Sequence, residues 1–175
     1  MSNLKLKILV CGPTACGKEK LIHRFAKPIY DRDYKLTTGV DILHKEVIYK
    51  EGKTAVLSFW DIGGQERFSF IRKTFYKGAS GVLLVFDLSR AATWDGIQNW
   101  WKEVYHSAGY IPFLLIGNNL DLISEVGEVI DREECQEFAD EYDSIYVETS
   151  ANEGTNVDAA ITELTKLIIS RYGVK

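Results

Sequence analysis

The chain is 175 residues long, 46% apolar and 26% charged, enough for one domain whose core needs neither disulfides nor metal staples. A formal net charge of −4, with Lys and Arg scattered along the chain, speaks against a nucleic-acid binder, whose footprint is basic. The three cysteines, Cys11, Cys16 and Cys135, form no CxxC pair and are odd in number, so a reducing, cytoplasmic setting is expected rather than a disulfide framework or a structural zinc.

Leu4–Cys11 begins with period-two alternation and ends apolar, the pattern of a strand entering a core. Lys18–Ala26 reads as a helix with Leu21, Ile22 and Phe25 on one face. Val40–Tyr49 and Thr54–Trp60 are strands around the turn Glu51-Gly52. Gly81–Asp87 and Pro112–Gly117 are continuous apolar runs, expected of strands covered on both faces. Between them Thr93–Ser107 reads as one aromatic-rich helix. Ile130–Tyr142 is a further helix opened by Asp131 as N-cap, and Ser144–Val147 is the last strand. The closing helix, Asn156–Tyr172, sets Val157, Ala160, Ile161, Leu164 and Ile168 on one stripe. This alternation predicts an α/β fold of three layers, with a mostly parallel six-stranded sheet and helices on both faces. Ligands bind such sheets at the carboxyl ends of the strands.

Gly12-Pro13-Thr14-Ala15-Cys16-Gly17-Lys18 follows the first strand and opens the first helix, the context of a phosphate-binding P-loop. Successive backbone N–H groups curl around an anion, the helix N-terminus adds positive potential, and Lys18 brings a charge to the outer phosphates. The nucleotide-binding run is expected to continue through Glu19 and Lys20. The pattern breaks at Glu19, where a Ser or Thr hydroxyl should bind Mg²⁺. Two readings stay open. Glu19 ligates Mg²⁺, directly or through water, or it turns to solvent and the Mg²⁺ dependence is weak.

Downstream, Asp61-Ile62-Gly63-Gly64-Gln65-Glu66 matches DxxGQ, Asn118-Asn119-Leu120-Asp121 resembles NKxD, and Glu148-Thr149-Ser150-Ala151 matches ExSA. Each ends a predicted strand. With the segments Tyr34–Asp41 (YKLTTGVD) and WDIGGQERF, they make the chain resemble the small GTPases of the Ras superfamily, most closely the Rab branch. The resemblance covers nearly the whole sequence and implies a single small G domain over residues 1–175. It implies a monomeric switch that binds GDP and GTP with Mg²⁺ and hydrolyses GTP slowly without an activating partner. Its partners are then effectors, exchange factors and GTPase-activating proteins that meet the switches.

The base motif has its own chemistry. A carboxylate at Asp121 accepts from N1–H and the exocyclic N2 of guanine, donors that adenine does not present, and an amide near Ser150-Ala151 donates to O6. Each buried bond left unmade costs about 1–3 kcal/mol, so a few such contacts discriminate strongly. By resemblance, Asn118 belongs to this site, Tyr30 stacks on the base, and Tyr34 closes over the phosphates. Thr37, and Asp61 through water, meet Mg²⁺, the Gly64 N–H meets the γ-phosphate, and Gln65 orients the attacking water while Lys18 stabilises developing charge. Asn119 replaces a lysine whose stem lies along the base, which predicts weaker nucleotide retention. Ile42, Trp60, Phe75 and Tyr76 are expected on the partner-reading surface.

Two other readings compete. One is a binding module that holds nucleotide with little hydrolysis, supported by Glu19 and Asn119. The other is a P-loop ATPase or small-molecule kinase, opposed by Asp121 and Ser150-Ala151. No apolar run approaches the roughly 18 residues of a bilayer span. Nor is a lipid anchor expected in this chain: Ser2 stands where myristoylation needs glycine, and Arg171-Tyr172-Gly173-Val174-Lys175 offers no prenylatable cysteine.

Overall fold

A computed structural model describes residues 4–28, 40–63 and 69–173. Its strands are β1 (Leu4–Cys11), β2 (Lys27–Pro28), β3 (Asp41–Lys50), β4 (Lys53–Asp61), β5 (Gly81–Asp87), β6 (Phe113–Asn118) and β7 (Ile145–Glu148). Its helices are α1 (Lys18–Phe25), α2 (Ser69–Tyr76), α3 (Ala91–Asp95), α4 (Ile97–Ala108), α5 (Ile123–Val126), α6 (Arg132–Glu141) and α7 (Val157–Tyr172), with a 3₁₀ turn at Leu120–Leu122. One sheet runs in the order β2-β3-β4-β1-β5-β6-β7. Pairing is parallel from β4 through β7, and β3 alone among the six longer strands runs antiparallel. The expected mostly parallel six-stranded sheet is therefore present. Two-residue β2 extends its edge against β3, too short to leave a periodic signal.

Alternation along the strands sorts the core into two layers. Leu83 and Val85 join Ile8, Leu21, Ile22, Leu164 and Ile168 beneath α1 and α7. Val82, Leu84 and Phe86 face the opposite way, with Trp100, Trp101, Phe113 and Phe138 beneath α4 and α6. Both layers are apolar because helices cover both faces of the parallel strands. The α7 stripe is buried as its spacing implies: Val157, Ala160, Ile161, Leu164 and Ile168 are each at most 2% exposed. Asp131 caps α6 as expected, its carboxylate accepting the Glu133 N–H at 2.8 Å.

Two expectations need correction. Thr93–Ser107 is not one helix but α3 and α4, divided at Gly96. Thr93 ties the first piece down, its hydroxyl donating to the Asp87 and Arg90 carbonyls and accepting the Asp87 N–H. At Gly96 the Pro13 ring lies 3.2 Å from where a Cβ would stand, so the break is also where the P-loop meets this layer. The second correction concerns Tyr76, which is fully buried rather than on a reading surface. Its hydroxyl donates to Glu103 at 2.9 Å, beside a bidentate Arg72–Glu103 pair at 2.6 and 2.8 Å. Ile42, Trp60 and Phe75 are half-buried, while Phe70 stands 76% exposed on α2.

The register brings the motifs together. Val10 lies beside Asp61, Cys11 beside Leu84, Asp87 beside Asn118, and Gly117 beside Glu148. All these strands run the same way, so residues 12–18, Asp61, Asn118 and Thr149–Ala151 gather at one edge of the sheet.

Candidate functional site

The loop from Gly12 to Lys18 is held in place carbonyl by carbonyl. Gly12 adopts φ +150, and a Cβ there would stand 2.0 Å from the Val85 carbonyl oxygen, so only glycine lets β1 and β5 approach so closely. Gly17, at φ +81, opens α1, and its missing Cβ would lie 2.5 Å from the Asn118 amide nitrogen. Ala15 takes a left-handed φ of 61 although it carries a side chain, a conformation that costs about 1–2 kcal/mol. Lys18 is 7% exposed and folds across the loop, its ammonium donating to the Gly12 and Pro13 carbonyls at 2.9 and 2.8 Å. The Thr14 and Ala15 carbonyls accept from Arg90 at 3.2 and 2.7 Å, and the Cys16 carbonyl accepts from Asn118 at 3.0 Å.

Asn118, at the end of β6 and fully buried, is a junction. Its Nδ2 donates to Cys16, and its Oδ1 accepts from the Thr149 hydroxyl at 3.0 Å and the Ala151 N–H at 3.2 Å. One side chain thus ties the P-loop to the loop after β7. On that loop Ser150 donates its hydroxyl to Asp121 Oδ1 at 2.8 Å and accepts the Glu153 N–H, while Asn152 reaches Asp121 Oδ2 at 3.4 Å. The half-buried Asp121 carboxylate is thereby aimed rather than loose. The Ser150 N–H donates to the Thr155 carbonyl, and the Ala151 N–H already serves Asn118. The Ala151 bond, at 3.2 Å, lies at the long end of the normal range, so this amide could be shared with a second acceptor. Glu148, first residue of its motif, pairs with Arg132 and accepts from Tyr146, so it fastens α6 to β7.

Asn119 adopts a left-handed φ of 63 at the start of the 3₁₀ turn, a conformation asparagine tolerates better than a long side chain does. Its Oδ1 lies 3.7 Å from the Cβ position of Gly17, so this shorter residue still borders the P-loop. Glu19 behaves otherwise. Its side chain is 66% exposed and approaches His23 at 3.9 Å, and His23 in turn meets Asp41 at 3.3 Å. The ligand atoms of these three lie within 4.8 Å of one another at the outer edge of the site. Lys20 is exposed on α1. Asp61 ends β4 beside the cradle. Burial pushes the Cys11 thiol up to about 12 and raises that of Cys16, so neither is poised as a nucleophile.

Tyr30, Tyr34, Thr37, Gly64 and Gln65 lie outside the described residues. Arg90 is a neighbour of the loop that sequence reading misses. It acts on backbone carbonyls 75 and 76 residues away, and such contacts leave no side-chain pattern.

Comparison with known proteins agrees with this geometry. Residues 7–170 match the family model described as Ras family. The chain is 36% identical over 168 residues to Ras-related protein Rab-13 of Canis lupus familiaris, covering 95% of this chain and 81% of that protein. It is 34% identical over 168 residues to GTP-binding protein ypt1 of Schizosaccharomyces pombe, with the same coverage. To Ras-related protein Rab11A of Lotus japonicus it is 35% identical over 157 residues, 89% of this chain and 68% of the relative.

Proposed function

We propose, since this chain belongs to the Ras family, that it is a guanine-nucleotide switch: one G domain that binds GDP and GTP, hydrolyses GTP slowly alone, and meets effector, exchange-factor and activating proteins through its switches. The observation that carries this reading is the Asn118 junction, which binds the P-loop on one side and the loop holding Asp121 on the other. A ligand suited to both ends has phosphates at one and, at the other, a purine edge rich in donors. Guanine offers that edge to Asp121.

Each residue then has a task. Planar peptides whose carbonyls are tied outward turn the amides of Ala15, Cys16 and Gly17 the opposite way, onto phosphate oxygens. Lys18 exchanges its carbonyl partners for the outer phosphates. Gln65 orients water for in-line attack, and Thr37 and Gly64 report the γ-phosphate. The oxygen donors suit Mg²⁺: a carboxylate at Asp61 and a hydroxyl at Thr37 are ligands of the type a hard cation takes. When bound, that ion neutralises charge on the phosphate oxygens. The exposure of Glu19 and its approach to His23 support the reading in which it faces solvent rather than ligating the ion.

Chromatography of the nucleotide released from denatured purified protein tests the assignment. GDP or GTP is expected. Equal affinity for ADP or ATP refutes it. The exposed Glu19, standing where a hydroxyl would serve Mg²⁺, also favours a second reading, a nucleotide-holding module with little turnover. Single-turnover GTP hydrolysis with an ATP control separates the two.

A further inference from the structure

We infer that Arg90 is a positioning residue of the phosphate cradle: it holds the Thr14 and Ala15 carbonyls so that the following amides face a nucleoside diphosphate. This deepens the guanine-nucleotide reading and rests on it. The guanidinium is itself fixed. Arg90 Nε donates to Asp87 Oδ2 at 3.0 Å, and Asp87, whose side chain is 5% exposed, is pinned through Oδ1 by the Ser89 N–H and hydroxyl at 2.9 and 2.6 Å. The Thr93 hydroxyl closes the same turn on the Asp87 and Arg90 carbonyls. A rigid anchor at the end of β5 therefore presents Nη2 to the loop.

The need for such an anchor is local. Ala15 has to be kept in a left-handed conformation that its side chain disfavours. Within a trans peptide the carbonyl and the next N–H point in opposite directions. Tying the oxygens of Thr14 and Ala15 to Arg90 sets the amides of Ala15 and Cys16, and Asn118 does the same for Gly17 through the Cys16 carbonyl. Lysine at position 90 has a single ammonium and cannot reproduce the fork that serves Asp87 and two carbonyls together.

The test measures GDP and GMP affinity, and GDP release with a fluorescent analogue, for wild type, Arg90→Ala and Arg90→Lys. Loss of a charge-assisted bond to the cradle predicts GDP release about tenfold faster in Arg90→Ala, with Arg90→Lys between it and wild type. GMP affinity should stay within about twofold, because the base contacts at Asp121 are untouched. GDP and GMP affinities that fall equally, or a GDP release that stays unchanged, overturn the role of Arg90. Wild type that binds neither guanine nucleotide defeats the underlying assignment instead. If Arg90→Ala does not fold, the GDP-to-GMP affinity ratio of Arg90→Lys decides.

Discussion

Replacing Asn118 with alanine probes the coupling on which the site depends. The substitution removes three hydrogen bonds from a fully buried position, to Cys16, Thr149 and Ala151. A neutral buried bond contributes about 1 kcal/mol net, and a stranded partner costs about as much or more, so the loss should be about 3 kcal/mol. At about 2–4 °C per kcal/mol for a chain of this size, Tm should fall by about 6–12 °C in thermal unfolding followed by circular dichroism. Because the cradle and the base loop lose their common tie, GDP release should quicken by about tenfold or more, equivalent to about 1.4 kcal/mol. Asn118→Asp refines the measurement. It keeps an acceptor for Thr149 and Ala151 but sets a carboxylate oxygen against the Cys16 carbonyl, so it should loosen the phosphate end first. If Asn118→Ala shifts Tm by less than about 2 °C and leaves GDP release unchanged, the junction does not couple the two loops and the reasoning fails.

Further outcomes follow from other contacts. Glu103→Ala should cost about 3 kcal/mol in urea unfolding at pH 7, because the buried Arg72 loses its carboxylate partner. Burial opposes ionisation of Glu103, but hydrogen bonds from Arg72 and Tyr76 outweigh it and leave the carboxyl below its ordinary value. That stabilisation is complete above the ordinary value of about 4.3 and is lost as pH falls through the lowered one, so the gap between wild type and variant should narrow on acidification below the ordinary value. A gap that widens on acidification refutes this. Ala15→Gly should raise stability by about 0.5 kcal/mol, since relief of left-handed strain exceeds the added chain entropy of glycine; a lower Tm counts against the strain argument. Gly12→Ala should yield insoluble or strongly destabilised protein, because backbone at Val85 cannot give way to a Cβ 2.0 Å distant; a soluble variant with wild-type Tm would contradict that geometry.

Much of this architecture is legible in the sequence because it rests on periodicity and local chemistry. The continuous apolar runs at Gly81–Asp87 and Pro112–Gly117 read as strands covered on both faces and form β5 and most of β6, and Asp131 announces a helix start through its side chain. The motif residues Gly12–Lys18, Asp61, Asn118 and Thr149 could be set at strand ends for the same reason. What escaped is what depends on distant partners. Whether Tyr76 faces solvent or core is decided by Glu103, 27 residues on, and Arg90 reads as an ordinary surface charge until Thr14 and Ala15 are seen beneath it. The packing of Gly96 against the Pro13 ring, 83 positions earlier, is likewise a contact that no local pattern reveals.

The triad of Arg72, Tyr76 and Glu103 gives α2 a fulcrum. Two of its members, Arg72 at mid-helix and Tyr76 at the end, lie one turn apart on that helix and are bolted to α4, with the Arg72 guanidinium also lying 4.4 Å over the Trp100 ring. Phe70 and Ile71 stand exposed beyond this bolt, toward the helix's beginning. An aromatic ring can therefore stand in solvent on the first turn of α2 while the same helix stays fastened to the core through Arg72 and Tyr76.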